Sequence, residues 1–188
     1  MWSRNKTAAV GRMMRSAIAL AVAGLLGGCF QPLYGDHAMG SQTPLRGALA
    51  SVDVQQIAAP RGSSDARIAV VLRNALLFDL TGGGESIAPS HRLKINMTIS
   101  RSALIVDNAT GRTVAEVTGI DTSYTLTDLS NGKVVVNGTS FSRVSSDVPG
   151  LQQRFAMDRG LRDAEDRAAK VVAEQITSRI SSYLVAGT

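Results

Sequence analysis

The chain has 188 residues, 44% of them hydrophobic and 4% aromatic, which leaves room for one domain with its own core and hardly for two. Its formal charge of +5 points to an anionic partner, yet Arg4, Lys6, Arg12 and Arg15 are gathered at one end with no acidic residue among them. Without those four the balance is 16 basic to 15 acidic, so a nucleic-acid-binding protein loses its electrostatic basis, and the scarcity of aromatic side chains removes a base-stacking surface as well.

The basic residues are followed by an apolar run from Ala17 to Leu26, two small residues, Gly27 and Gly28, and then Cys29. A basic segment, a short apolar segment and a small-residue cleavage site are the three parts of a secretory signal. The apolar run is about half the length that crosses a bilayer, so residues 1–28 read as a removable lipoprotein signal peptide. Cys29 is the single cysteine of the chain and has no partner for an internal disulfide. Directly after Leu26-Gly27-Gly28 it stands where a diacylglycerol thioether forms, and two or three acyl chains at one terminus hold a protein stably on a membrane. The residue after it is Phe30 and not Asp, which resembles the sorting pattern of lipoproteins sent on to the outer membrane.

Residues 29–47 carry prolines and glycines without a sustained period and read as a lipidated N-terminus and linker. His37 lies in this stretch beside Asp36 and without another histidine near it, and reads as a solvated linker histidine and not as a metal site. From residue 48 to 188 one α+β domain is expected. A first short strand is predicted over Ala48–Ile57 from Val52, Val54 and Ile57. Ser63, Ser64 and Asp65 offer helix-capping oxygens, and Ile68, Val71, Leu72, Ala75 and Leu76, extending to Leu80, then share one helical face. Gly82-Gly83-Gly84 ends that helix; it follows a helix instead of opening one and lacks the Lys-Ser/Thr of a phosphate loop, so it reads as a C-cap and turn.

Arg92 to Ile99 alternates strictly and is the clearest strand. A turn at residues 107–111 leads to a third strand over about 113–129, with Ile120, Tyr124 and Leu126 in one phase. Val114 and Val117 do not extend that phase cleanly, which predicts a bulge near Thr118-Gly119. Asn131-Gly132 is a hairpin signal. A fourth strand over about 133–145 has Val134 and Val136 in phase and a predicted phase change around Gly138 before Phe141. The last segment, from about Phe155 to Leu184, is helical. Leu161, Ala164, Ala168, Val172, Ile176, Ile180 and Leu184 form its apolar stripe, Asp163–Arg167 and Asp166–Lys170 are i,i+4 pairs, acidic residues dominate its first turns and Arg179 lies near its end. The expected fold is therefore β-α-β-β-β-α, one four-stranded twisted sheet with two helices packed on one face.

Nothing in the chain reads as catalytic, and neither a cofactor nor a metal site is expected. Cys29 is used for lipid, His37 and His91 are isolated, and no serine stands in a nucleophile elbow. Asp163, Glu165 and Asp166 read as a solvated, ion-paired helix face and not as an acid–base pair. Asn96, Asn108 and Asn137 match glycosylation sequons but read as strand and turn residues.

The segments Cys29-Phe30-Gln31-Pro32-Leu33-Tyr34-Gly35, Leu72-Arg73-Asn74-Ala75-Leu76, Arg92-Leu93-Lys94-Ile95, Tyr124 to Lys133 and Asp163 to Ala168 together resemble the LptE family of lipopolysaccharide-assembly lipoproteins. The first departs from the expected form by lacking a glycine after the cysteine. The resemblance implies a sheet with two helices and no enzymatic activity. It also implies an outer-membrane lipoprotein that sits in the lumen of an LptD-type β-barrel as a plug, assists barrel assembly and contacts lipopolysaccharide. A phosphate-rich lipid calls for Lys or Arg at an accessible end of the fold. In a meander of strands two to four, the turn at 107–112 and the connection at 145–150 share one end, which makes Arg112 and Arg143 the candidate lipopolysaccharide contacts. A competing reading with the same anchor is an auxiliary lipoprotein of a lipid ABC transporter; a lipid-tethered hydrolase lacks a visible nucleophile and base.

Overall fold

The structure, a computed structural model, describes residues 45–85, 87–148 and 153–187; the signal peptide, Cys29 and His37 lie outside the described residues. In chain order the elements are helix α1 (Leu45–Ala50), strand β1 (Val52–Val54), helix α2 (Ser64–Thr81), strands β2 (His91–Asp107), β3 (Arg112–Asp128) and β4 (Val134–Asp147), and helix α3 (Arg154–Ala186). The four strands form one mixed sheet in the order β1-β2-β3-β4, with β1 parallel to β2 and the other pairs antiparallel. The helices cover one face, as expected for this α+β order, with α1 added.

That addition corrects the first predicted strand. Leu45 and Leu49 are one helical turn apart, both buried, among Leu, Arg and Ala residues that favour helix despite Gly47, and Ser51 Oγ donates to Ala48 O at 2.7 Å at the helix end. Only Val52–Val54 remains as strand, and Ile57 is buried beyond it. Leu45 thus already belongs to the core, inside the stretch read as linker.

Helix α2 begins and ends where the sequence places it. Ser63 Oγ accepts from Ala66 N at 3.1 Å, and Gly82 takes the left-handed conformation (φ 64°) while its N–H bonds Phe78 O, satisfying carbonyls that the helix leaves open. Ile68, Leu72, Leu76 and Leu80 are buried along it, each contributing roughly 1.5–3 kcal/mol on leaving water. Arg73 Nε, donating to Val54 O at 3.0 Å, ties the helix to β1.

Two expected irregularities are absent. The β2–β3 register runs without a break through Thr118 and Gly119; the irregularities lie at Ala103–Val106 of β2. Thr118 and Thr122 occupy buried positions in the same phase as Ile120, Tyr124 and Leu126, so the core face of β3 is continuous although its apolar residues are not. In β4 the register from Val136 to Asp147 is also unbroken: Ser140, Ser142 and Ser146 keep the core phase, and Phe141 points to the other face. Gly138 interrupts nothing; a Cβ there would stand 2.7 Å from the Tyr124 hydroxyl, so its bare backbone makes room for that ring. The Asn131-Gly132 hairpin forms, with the Asp128 carboxylate accepting from Ser130 N, Ser130 Oγ and Asn131 Nδ2.

In α3 the predicted stripe is buried at Ala164, Ala168, Val172, Ile176 and Ile180, while Leu161 and Leu184 are half-buried. The helix starts at Arg154 and carries no acidic residue in its first turn, contrary to expectation; its carboxylates enter a turn later and serve another purpose.

Candidate functional site

The first distinctive site is the one the sequence reading misplaced. Asp163 and Arg167 form the expected exposed i,i+4 pair at 2.7 Å. Glu165, however, does not belong to the solvated face. Its side chain is only 3% exposed, and its two carboxylate oxygens are taken by Arg67 from α2 and Arg101 from β2. Asp166 pairs with Arg67 Nη1 at 2.6 Å and not with Lys170, and Arg101 Nη2 also donates to Ser64 Oγ at 3.2 Å. Partial burial pushes the Arg67 guanidinium down, and the hydrogen bonds to Asp166 and Glu165 outweigh it, so its pKa ends raised. Two cations and two carboxylates join α2, α3 and β2 into a neutral cluster. With both oxygens of Glu165 occupied by guanidinium groups, its chemistry is cohesion.

Beyond this cluster β2 and β3 run on as a hairpin. Leu104, Ile105, Val106 and Val114 are exposed there, on strands whose register shifts at Ala103–Val106. Gly111 (φ 66°) closes the tip by donating to Asp107 O at 2.7 Å. The Asp107 carboxylate accepts from Ala109 N and Thr110 Oγ1, which holds its pKa below the usual range. Arg112 stands opposite Asp107 in the register. The upstream turns of α3, before Glu165, extend toward the same end and carry Arg154, Phe155, Arg159 and Arg162, with Phe155 87% exposed. Among the described residues none of these three arginines, nor Arg112, has an ion pair. The unbroken run Ala103-Leu104-Ile105-Val106 was the available signal for this tip: a strand buried on one face alternates, and this stretch does not.

The two predicted lipid-contact residues are not brought together. Arg143 lies opposite Gly119, seven strand positions or about 23 Å from Arg112. It sits on the sheet face away from the helices, its Nη2 donating to both carboxylate oxygens of Asp121 at 2.8 and 2.9 Å. A Cβ on Gly119 would fall 2.9 Å from Arg143 Nε, so the arginine crosses the sheet over a bare glycine, with its Cζ 5.8 Å from the Phe141 ring centre. His91 at the start of β2 has Nδ1 2.8 Å from Ser90 Oγ. Among the described residues no group of His, Cys, Asp and Glu could hold a metal ion, and no helix is long and apolar enough to cross a membrane.

No protein-family model matches the chain, and no curated protein matches it. Its fold is similar to those of several solved structures, among them two lipoproteins. A protein from Caulobacter crescentus described as a lipoprotein superposes with a TM-score of 0.56 at 19% identity, over 76% of this chain and 96% of that one. A minor lipoprotein from Acinetobacter baumannii superposes with a TM-score of 0.52 at 15% identity, over 72% of this chain and 94% of its own. At these identities the likeness is one of fold.

Proposed function

We propose that this chain is a non-catalytic, lipid-anchored lipoprotein of the outer membrane that plugs an LptD-type β-barrel, assists its assembly and takes part in lipopolysaccharide insertion. The observation that carries this reading is the hairpin tip: exposed Leu104, Ile105, Val106 and Val114, with Arg112 facing Asp107 across the turn and Arg154, Arg159 and Arg162 without an ion pair among the described residues. Lipid A presents acyl chains beside phosphates, and such a molecule is matched by apolar side chains next to guanidinium groups free to take phosphate bidentately. Arg112 is the stronger of the two predicted contacts, because Arg143 is held in a direct ion pair by Asp121, whereas the carboxylate of Asp107 opposite Arg112 is engaged by Ala109 N and Thr110 Oγ1. The lipoprotein character of both fold neighbours agrees with the Leu26-Gly27-Gly28-Cys29 reading, and the polar face of the sheet suits a water-filled barrel lumen.

The test is capture of the chain from detergent-solubilised outer membrane with the partner's mass identified. A large β-barrel partner is expected. Recovery of an inner-membrane permease instead overturns the proposal in favour of an auxiliary lipoprotein of a lipid ABC transporter. Replacing Cys29 with Ala should abolish membrane fractionation; an unchanged mature mass and fractionation would remove the lipid anchor.

A further inference from the structure

The sheet face away from the helices is built of hydroxyls and amides around one ring. Cross-strand rows place Asn96, Ser123 and Thr139 side by side, then Thr98, Asp121 and Phe141, then Ser100, Gly119 and Arg143. Two adjoining hollows lie over these rows, of about 340 and 400 Å³, and both are lined by Asn96, Ser123 and Thr139. Phe141 borders the first hollow and is 64% exposed, the one aromatic ring on this face among the described residues. Asn96, Thr98, Ser123 and Thr139 make no side-chain hydrogen bond to the described residues, so their donors and acceptors are free. The Arg143–Asp121 pair, seated over Gly119, fixes the border beside the ring.

We propose that this face binds a hydroxyl-rich saccharide, with one pyranose lying its C–H face on Phe141 and its hydroxyls bonded by Thr98, Asn96, Ser123 and Thr139. A wholly apolar ligand would strand four polar side chains without partners, at a cost for each. A phosphate would find the one cation beside the ring already paired with a carboxylate. A sugar ring offers what this surface asks for, an apolar face edged by groups that both donate and accept. The inference concerns a different face from the hairpin tip and stands without the barrel or lipid insertion. The same chemistry belongs to the saccharide of a glycolipid and to a free glycan.

The experiment is an amide-resolved NMR titration of the full chain in a detergent without a sugar headgroup. One arm uses lipid-free oligosaccharide released from lipopolysaccharide by mild acid, the other an N-acetylglucosamine oligomer. Saturable shifts confined to residues 96–98, 121–123 and 139–141 are expected in at least one arm, and which arm responds identifies the source. Phe141→Ala should weaken binding about tenfold or more, and Thr98→Val with Thr139→Val should weaken it while leaving the spectrum folded. Absence of saturable shifts in both arms, shifts at the hairpin tip alone, or binding indifferent to Phe141→Ala would overturn the proposal. Loss of barrel capture by Phe141→Ala without any saccharide binding would overturn it too, by assigning the face to a protein wall.

Discussion

Replacing Glu165 tests how the fold is held at the point where its three long elements meet. Removing one member of a fully buried ion pair costs about 3–5 kcal/mol, because the remaining charge is left without compensation. Glu165 meets that condition at 3% exposure, but its partners are 34% and 32% exposed. Water therefore recovers part of each guanidinium, and the cost of Glu165→Gln falls to roughly 2–3 kcal/mol. For a domain of this size that is a fall in Tm of about 6–12 °C. Asp166→Asn, at a side chain 42% exposed, should cost less than about 1 kcal/mol. Replacing the triad centred on Glu165, Arg67→Met with Glu165→Leu and Arg101→Met, and leaving the 42% exposed Asp166 to water, should recover most of the loss, since apolar residues of similar volume often match a buried charged triad. Thermal and urea unfolding followed by circular dichroism measure all three. If Glu165→Gln destabilises no more than Asp166→Asn, the burial argument is refuted.

Gly138→Ala drives a methyl group onto Tyr124, whose Oη and Cζ would lie 2.7 and 2.8 Å from it; a loss of about 1–3 kcal/mol is expected from the urea midpoint, and adding Tyr124→Phe should return part of it by removing the nearest atom. Burial, then repulsion from Glu174, raises the Asp79 carboxyl pKa, so the fold favours its protonated form: the stability this confers is full below the unfolded value near about 3.9 and is lost as pH rises through the raised folded value. Asp79→Asn should therefore raise Tm at neutral pH, with the gain vanishing in acid; a lowered Tm at neutral pH would show the sign to be wrong. Replacing Ala103–Glu116 with Asn-Gly joins Ser102 to Val117, which are register partners, and should cost only about 1–2 kcal/mol while abolishing lipopolysaccharide binding by the purified protein. Retained binding would remove the tip from the site.

Most of the fold could be read wherever apolar residues mark the core phase. Ile120, Tyr124 and Leu126, the Ser63 cap and the α3 stripe all did so. The reading failed where small polar residues fill core positions: Thr118 and Thr122 in β3, and Ser140, Ser142 and Ser146 in β4, face the helices without a hydropathic mark. A continuous strand then looks as if it changes phase. Glu165 was hidden for a related reason. It lies one turn before Ala169 and two before Val172 and Ala173, on the second column of the buried stripe, so its position was legible and its chemistry argued against burial. What makes burial tolerable is Arg67, 98 residues away, and Arg101, and no local pattern announces a partner at that distance. The pairing of Arg143 with Asp121 was likewise invisible, because it depends on register across two strands.

The exposed tip follows from element lengths. Helix α2 has 18 residues and spans about 27 Å, whereas the 17 residues of β2 span about 56 Å. Its N-terminal turn meets β2 at Arg101, through Arg67, Glu165 and Ser64, and from there it runs toward α1. Everything on β2 past Ser102 therefore lies beyond its cover. The Glu165 cluster marks this boundary, and the arginines divide there. Arg67 and Arg101, at the boundary, are matched by carboxylates, while Arg112, Arg154, Arg159 and Arg162, past it, have no ion pair among the described residues. A neutral cluster at that level closes the core, so side chains past it are free to vary without disturbing the packing beneath. The proposed site for a phosphate-bearing amphiphile would use that separation: the arginines past the boundary are spared the work of holding the domain together, and the groups that hold it together have no charge left to offer.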